Sequence, residues 1–339
     1  MLAGRKIRMR APWAALGLLA FLAAPLAAQN RALPPSPPAP SFSDVTDEAG
    51  RTVRVPQPVR RIISLAPSLT ETIYELGAQD RLVADTDYCD YPDAARGKPK
   101  VGGALNPSIE QIAALHPDLV LLTRDLNRYE TVLALEQLDI PVYAVDPRTV
   151  EQMISSSKRL AEILGVAEAG RSLGEDLEKR LENLRTRLAG LPARRVLFVV
   201  WSDPLISAGQ KTFIADALRR AGALSIVESE QDWPQLSLEE VVRLHPEFIV
   251  FAAAHAQNAE KEFTALSARP VWREMEAVKN RKIVVVSEAV NRPAPRMVAA
   301  IEDLARQLHP EAFPPDEKKS PAAPPPARLA NSSGLGGAS

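Results

Sequence analysis

The chain has 339 residues, 46% of them hydrophobic, enough to build cores for two domains of ordinary size. A net charge of −1 gives no sign of a nucleic-acid binder. The single cysteine, Cys89, excludes an internal disulfide, so stability has to come from packed cores. Residues 1–28 read as a secretory signal: Arg5, Lys6, Arg8 and Arg10 precede the apolar run WAALGLLAFLAAPLAA. That run is shorter than the ~20 residues a membrane span needs. The residue after the expected cut at Ala28 is Gln29 rather than Cys, so an exported, periplasmic protein without a lipid anchor there is expected. Residues 29–41, QNRALPPSPPAPS, form a Pro-rich linker with too few apolar groups to fold.

An N-terminal α/β lobe is predicted over 42–148. FSDVTDEAGRTVRVP reads as a hairpin turning at Glu48-Ala49-Gly50, and RRIISLAP as a buried strand. Ser68-Leu69-Thr70-Glu71 is the expected capping box of a helix that Gly77 ends. RLVADT is a second strand, followed by a loop that carries Tyr88, Cys89, Asp90 and Tyr91. A helix near 127–138 and the strand PVYAV complete the lobe. Residues 149–192 are helical: one amphipathic helix over 149–164, closed by Gly165, then a longer one over 167–190. The second helix carries a narrow stripe of Leu173, Leu177, Leu181, Leu184 and Leu188, too short for a coiled coil and suited to a strut between lobes. A C-terminal α/β lobe is predicted over 193–311. It has RRVLFVVW and KIVVVS as strands, TFIADALRRAGA and residues 271–278 as helices, and a final helix reaching Leu308. Residues 312–339 are expected to be a disordered tail.

The two lobes share one stretch. SIEQIAALHPDLVLLT at 108–123 aligns without a gap with SLEEVVRLHPEFIVFA at 237–252, with five identities. In each copy a serine caps a helix, Gln111 or Glu240 completes a capping box, and His-Pro ends the helix because a residue before proline avoids the α region. The apolar run that follows reads as a strand buried on both faces of a parallel sheet. A spacing of 129 residues is too long for a solenoid and points to two lobes built alike.

No GxGxxG, P-loop, GxSxG or HExxH motif is present, and no cluster suggests a metal site or an enzyme. His116 and His245 occupy matched helix-ending positions and read as structural, whereas His255 follows a strand, where α/β ligands gather. Tyr88, Cys89 and Tyr91 from one lobe, with Trp201, Trp233, His255 and Arg292 from the other, are the candidates for lining a cleft between lobes. Glu110 and Glu239 sit in the first turns of the repeated helices, where the helix dipole favours them by ~0.3–1 kcal/mol. As a matched pair they also offer two anionic points to a two-fold symmetric partner.

At RIISLAPSLTE, TDYCDYP, NPSIEQIAALHPDLVL, SAGQ, WPQLSLEEVV and RPAPRMVAAIEDL the chain resembles the periplasmic binding proteins of cobalamin and iron–chelate ABC importers, above all the cobalamin binders. The resemblance spans about 43–310. It implies two Rossmann-like α/β lobes joined by a single long α-helix, a helical-backbone binding protein whose ligand lies between lobes that move little. It further implies a monomer with no resident cofactor or metal, serving a permease dimer. By position, Tyr88 resembles a tyrosine facing the corrin ring, Trp233 a cleft tryptophan and Arg292 a cleft arginine. Glu110 and Glu239 resemble the glutamates that dock on permease arginines. Two first-lobe tryptophans of the cobalamin binders align with Ala104 and Thr123, implying a wider or less aromatic pocket. Haem, with Tyr88 or His255 as axial ligand, and a ferric siderophore, held by Arg124, Arg292 and Arg296, are the rival ligands. An exported hydrolase and a scaffold with an empty cleft are the rival classes.

Overall fold

The computed structural model describes residues 41–253 and 259–313. The expected signal sequence, all of the linker but Ser41, His255 and the chain beyond 313 lie outside the described residues. The first described element is an antiparallel hairpin of β1 (Ser41–Thr46) and β2 (Thr52–Gln57). Its turn is held by Asp47, whose carboxylate accepts hydrogen bonds from the backbone N–H of Ala49 and Arg51.

The first lobe then runs β3 (Ile62–Ser64), α1 (Pro67–Glu75), β4 (Leu82–Ala84), α2 (Ile109–Ala114), β5 (Leu119–Thr123), α3 (Tyr129–Glu136) and β6 (Val142–Val145). Two helices follow, α4 (Val150–Ile163) and α5 (Ala167–Leu188). The second lobe has β7 (Arg194–Val199), a small antiparallel ribbon of β8 (Trp201–Ser202) and β9 (Leu205–Ile206), α6 (Phe213–Arg220), β10 (Ala223–Ser225), α7 (Leu238–Leu244) and β11 (Phe248–Ala252). It closes with α8 (Ala259–Ser267), α9 (Pro270–Arg273), α10 (Glu276–Lys279), β12 (Ile283–Val286) and α11 (Met297–Leu308).

Each lobe holds a four-stranded parallel sheet, in the orders β4-β3-β5-β6 and β10-β7-β11-β12. Counted within each lobe, both orders run second, first, third, fourth, so the lobes share one topology. The repeated stretch supplies the same part to each: a capped helix and the third strand. Leu119 and Leu121 of β5 face one apolar layer, Val120 and Leu122 the other, as the two-residue period of a strand requires. In β11, Ile249 and Phe251 face one layer, Val250 and Ala252 the other. Burying each such Leu or Ile contributes about 1.5–3 kcal/mol.

Both serine caps form as expected, Ser108 accepting from the Gln111 N–H and Ser237 from the Glu240 N–H. The His-Pro turns differ from expectation. His116 and His245 take left-handed conformations, with φ of 45° and 47°, so each helix ends in a tight reversal rather than by extension. In α1 the capping box does not form. Pro67 is the first helical residue, Ala66 is the cap, and Ser68 and Glu71 lie buried inside the helix. The helix expected over 271–278 is broken into α9 and α10 by an extended Met275.

The helix α5 carries the expected leucine stripe between the lobes. Leu177, Leu181 and Leu184 pack in the second-lobe core, while Leu173 touches both cores. Alongside it runs α4, with Val150, Met153 and Ile154 in the second-lobe core and Leu160, Ala161 and Ile163 in the first. The two helices are antiparallel and close, since a Cβ on Gly170 would lie 2.3 Å from the Ala161 Cβ, and one on Gly174 would lie 1.9 Å from the Lys158 side chain. The backbone helix α5 is thus the expected link, and α4 packed along it also reaches both cores. Phe313, expected in the tail, is buried against the second-lobe core.

Candidate functional site

The first-lobe strands direct their C-terminal ends at one cleft. The ends of β3, β4, β5 and β6 and the segments that follow them bring Ser68, Asp87, Tyr88, Thr123, Asp125, Leu126 and Asp146 to it, which is where ligands gather in open parallel sheets. The second lobe faces them with Phe213, Trp233, Glu288, Asn291 and Arg292. The cavity between is about 900 Å³, within the range of small-molecule sites.

Tyr88 is 64% exposed on the first-lobe wall and Trp233 is 45% exposed on the second, so each presents a ring that no core covers. The Tyr88 loop is fastened at its base by Lys100, whose ammonium donates to the Asp85 carboxylate (2.7 Å) and to the carbonyls of Cys89 and Ala95. Asp85 is fully buried, and burial pushes its carboxyl up to about 6 despite Lys100. Trp233 is fastened differently. Its segment lies against the SAGQ stretch, with the backbone N–H groups of Ser207, Gly209 and Gln210 donating to the carbonyls of Pro234, Asp232 and Ser229. Only glycine fits at 209, because a Cβ there would lie 1.8 Å from the Gln231 carbonyl oxygen.

Arg292 reaches the cleft wall through a network spanning the lobes. Its Nη1 donates to Glu71 Oε1 (2.9 Å) and Asp90 Oδ1 (2.7 Å), both in the first lobe. Arg296 grips the same Glu71 through Nε (3.0 Å) and Nη2 (2.8 Å). Burial alone would lower the Arg292 pKa, but these carboxylates hold it above its ordinary value. Burial would likewise raise Asp90, and the adjacent Arg292 instead draws it below the usual carboxylate range. On the other side of the cleft, Arg148 bridges Asp125 (3.0 Å) and Asp146 (3.1 Å) to Asp232 of the second lobe (2.8 Å). Two ionic straps thus tie the lobes together beside the cavity.

The structure brings Tyr88, Trp233 and Arg292 together and places Cys89, Tyr91 and Trp201 elsewhere, while His255 lies outside the described residues. Cys89 faces the core, its Sγ 3.2 Å from the hydroxyls of Thr70 and Thr86, and burial pushes its thiol up, so it is a packing residue rather than a cleft residue. Tyr91 lies outside the cleft lining, with Arg296 stacked 3.8 Å from its ring centroid. Trp201 stands on the β8–β9 ribbon, also outside the lining, and donates its indole N–H to the Asp203 carbonyl (2.8 Å). Ala104 and Thr123 are both buried, tied by Asn127, which donates to the Ala104 carbonyl (2.7 Å) and accepts from the Thr123 N–H (2.8 Å). The apolar surface on that wall comes from their exposed neighbours Leu105 and Leu126. Glu110 and Glu239 are exposed in the first turns of α2 and α7, and neither has a hydrogen-bond or ion-pair partner among the described residues.

The residues that sequence reading passed over are Glu71, Asp125, Asp146, Leu105 and Leu126. Asp125, Leu126 and Asp146 immediately follow β5 and β6, so the strand-end rule alone could have picked them. Glu71 offered no such signal, since its partners are 221 and 225 residues away.

The family model described as periplasmic binding protein matches residues 62–290. The chain belongs to the periplasmic binding protein family. This binding protein is 30% identical over 259 residues to the vitamin B12-binding protein of Vibrio cholerae, covering 75% of this chain and 90% of the relative. Its fold is also similar to the crystal structure of the periplasmic vitamin B12-binding protein of Vibrio cholerae (TM-score 0.65, 28% identity, 76% of this chain and 99% of that one). A periplasmic haem-binding protein in complex with two haems is similar to the same degree (TM-score 0.68, 27% identity, 74% and 98%). Membership makes this chain a solute-binding protein and not an enzyme, with the helical-backbone fold of those neighbours. No helix of the described residues is long and apolar enough to cross a membrane.

Proposed function

We propose that this protein captures a cobalamin or related corrinoid in the interlobe cleft of the periplasm and delivers it to an inner-membrane ABC importer. The observation that carries this reading is the pair of exposed rings, Tyr88 and Trp233, facing a cavity of about 900 Å³ from opposite lobes. Such walls bind a large flat ligand by stacking and area burial. The B12-binding relatives support the same ligand. Haem is the second reading, favoured by the exposed Tyr88 phenol as an axial ligand and by the haem-binding structural relative. A ferric siderophore fits less well, since Arg124, Arg292 and Arg296 are all engaged by carboxylates.

The permease-facing part of the proposal rests on Glu110 and Glu239, exposed and unpartnered on equivalent helices of the two lobes. Calorimetric titration with cyanocobalamin, haemin run beside it, tests the ligand. One-to-one binding of cyanocobalamin, weakened roughly tenfold or more by Trp233→Ala, is expected. Heat from haemin alone would transfer the reading to haem. Charge reversal of Glu110 and Glu239 is expected to abolish uptake while ligand affinity holds. Unchanged uptake would reduce the pair to helix-start electrostatics.

A further inference from the structure

The charge lining the cleft is lopsided. Asp87, Asp125, Asp146 and Glu288 contribute carboxylates to its wall, and Arg292 contributes the one guanidinium. Adding the residues bonded to these does not restore the balance. The two straps and Asp87 together hold seven carboxylates (Glu71, Asp87, Asp90, Asp125, Asp146, Asp232 and Glu288) against the guanidiniums of Arg124, Arg148, Arg292 and Arg296. Each of those arginines already touches at least one carboxylate, so an incoming anion would have to compete for it.

The carboxylates, by contrast, have capacity to spare. A carboxylate offers about four lone-pair sites and no donor. Asp87 is exposed, and its carboxylate has no hydrogen-bond or ion-pair partner among the described residues. Glu288 lies 3.5 and 3.8 Å from Arg292 and Arg296, near enough to feel their charge but accepting no hydrogen bond. Asn291, also on the wall, keeps a buried side-chain oxygen without a partner among the described residues. Burial raises Asp125, and its neighbours Asp146 and Asp232 raise it further against the pull of Arg148, so this corner disfavours added negative charge.

We infer that the cleft selects on the arms of its ligand: it accepts a flat ring whose periphery donates hydrogen bonds, such as primary amides, and rejects the same ring bearing carboxylates, with Asp87, Asp125 and Glu288 as the discriminating residues. An amide N–H₂ donating to a carboxylate makes a charge-assisted hydrogen bond. A carboxylate arm in the same place meets like charge in a partly dry cleft and leaves those acceptors unpaired. The inference rests on the corrinoid reading above and deepens it, since corrin and porphyrin ligands differ in their arms.

The test compares dicyanocobinamide, which has amide arms, with dicyanocobyrinic acid, in which the corrin arms are carboxylates, by calorimetry at neutral pH and low salt. Cobinamide is expected to bind at least about tenfold tighter, equivalent to about 1.4 kcal/mol. The gap is expected to shrink in Asp87→Asn and in Glu288→Gln, and to narrow as salt rises. Asp87→Asn alters an exposed side chain without partners, so it keeps the test available if Glu288→Gln fails to fold. Equal affinities, or a gap that both variants leave unchanged, would overturn the inference while leaving the corrinoid reading intact. Binding of haemin, with its carboxylate arms, and of neither corrinoid would overturn both.

Discussion

The strands β5 and β11 occupy the same place in sheets of the same order, and each follows a serine-capped helix ended by a left-handed histidine. What the two lobes bring to the cleft nevertheless differs. The first lobe supplies an acidic and aliphatic wall on loops leaving its strand ends, with Tyr88 on a loop tied by Lys100 to the buried Asp85. The second supplies Trp233 on a segment zipped to the SAGQ backbone, and the two arginines that close on Glu71. Duplicated scaffold and divergent loops coexist because cap, turn and core strand are satisfied locally within each lobe. The loops answer only to the ligand and to each other.

This comparison can be broken first where the lobes meet. Glu71 is 1% exposed and serves both Arg292 and Arg296, so Glu71→Ala removes the shared partner of two half-buried cations. A loss of about 3–5 kcal/mol in urea unfolding is expected, because truncating one side of a buried ion pair leaves the other charge poorly compensated. A loss under about 1 kcal/mol would show that Asp90 and Glu288 suffice.

The next effect belongs to the first lobe alone. With its carboxyl raised from 3.8 to about 6, Asp85 keeps its proton in the folded state at a pH where the unfolded chain has released it. Between roughly pH 4 and 6 the native state therefore binds more protons, and stability falls as pH rises through that window, by about 3 kcal/mol at most, then levels off. Asp85→Asn is expected to remove this slope from a series of unfolding curves taken across the window.

The glycines sharpen the contrast between the two ring-bearing loops. Gly209→Ala drives a Cβ onto the Gln231 carbonyl and is expected to cost about 2 kcal/mol and to weaken ligand binding by shifting Trp233. Beside Tyr88, Gly103→Ala puts its Cβ 3.7 Å from the ring, an ordinary contact, and is expected to stay within about 0.5 kcal/mol. Thermal unfolding and calorimetry of both variants check the pair. Smallest are the caps. Ser108→Ala and Ser237→Ala should each cost about 1 kcal/mol, and equally, if the repeated helices are true equivalents.

Local chemistry explains what could be read from the sequence. The repeated stretch showed its caps, its helix end and its buried strand because each depends on residues a few positions apart. The leucine stripe of α5 was equally visible as a period. Glu71 misled because an acid three residues after a serine reads as a capping box, whereas the helix starts two residues earlier, at Pro67, and frees the glutamate for the other lobe. The left-handed histidines misled because the usual preference before proline is extended, and a tight turn into β5 or β11 overrides it. Cys89 and Tyr91 shared a loop with Tyr88, but a loop sends successive side chains in different directions. One went to the core, one under an arginine and one to the cleft.

The most direct test of the account is a crystal structure of the protein loaded with cyanocobalamin. The corrin ring is expected between Tyr88 and Trp233, with Glu71 still within hydrogen-bond distance of Arg292 and Arg296. A corrin bound away from that cleft, or lobes turned so that Glu71 has lost both arginines, would contradict a site held ready by the ionic straps.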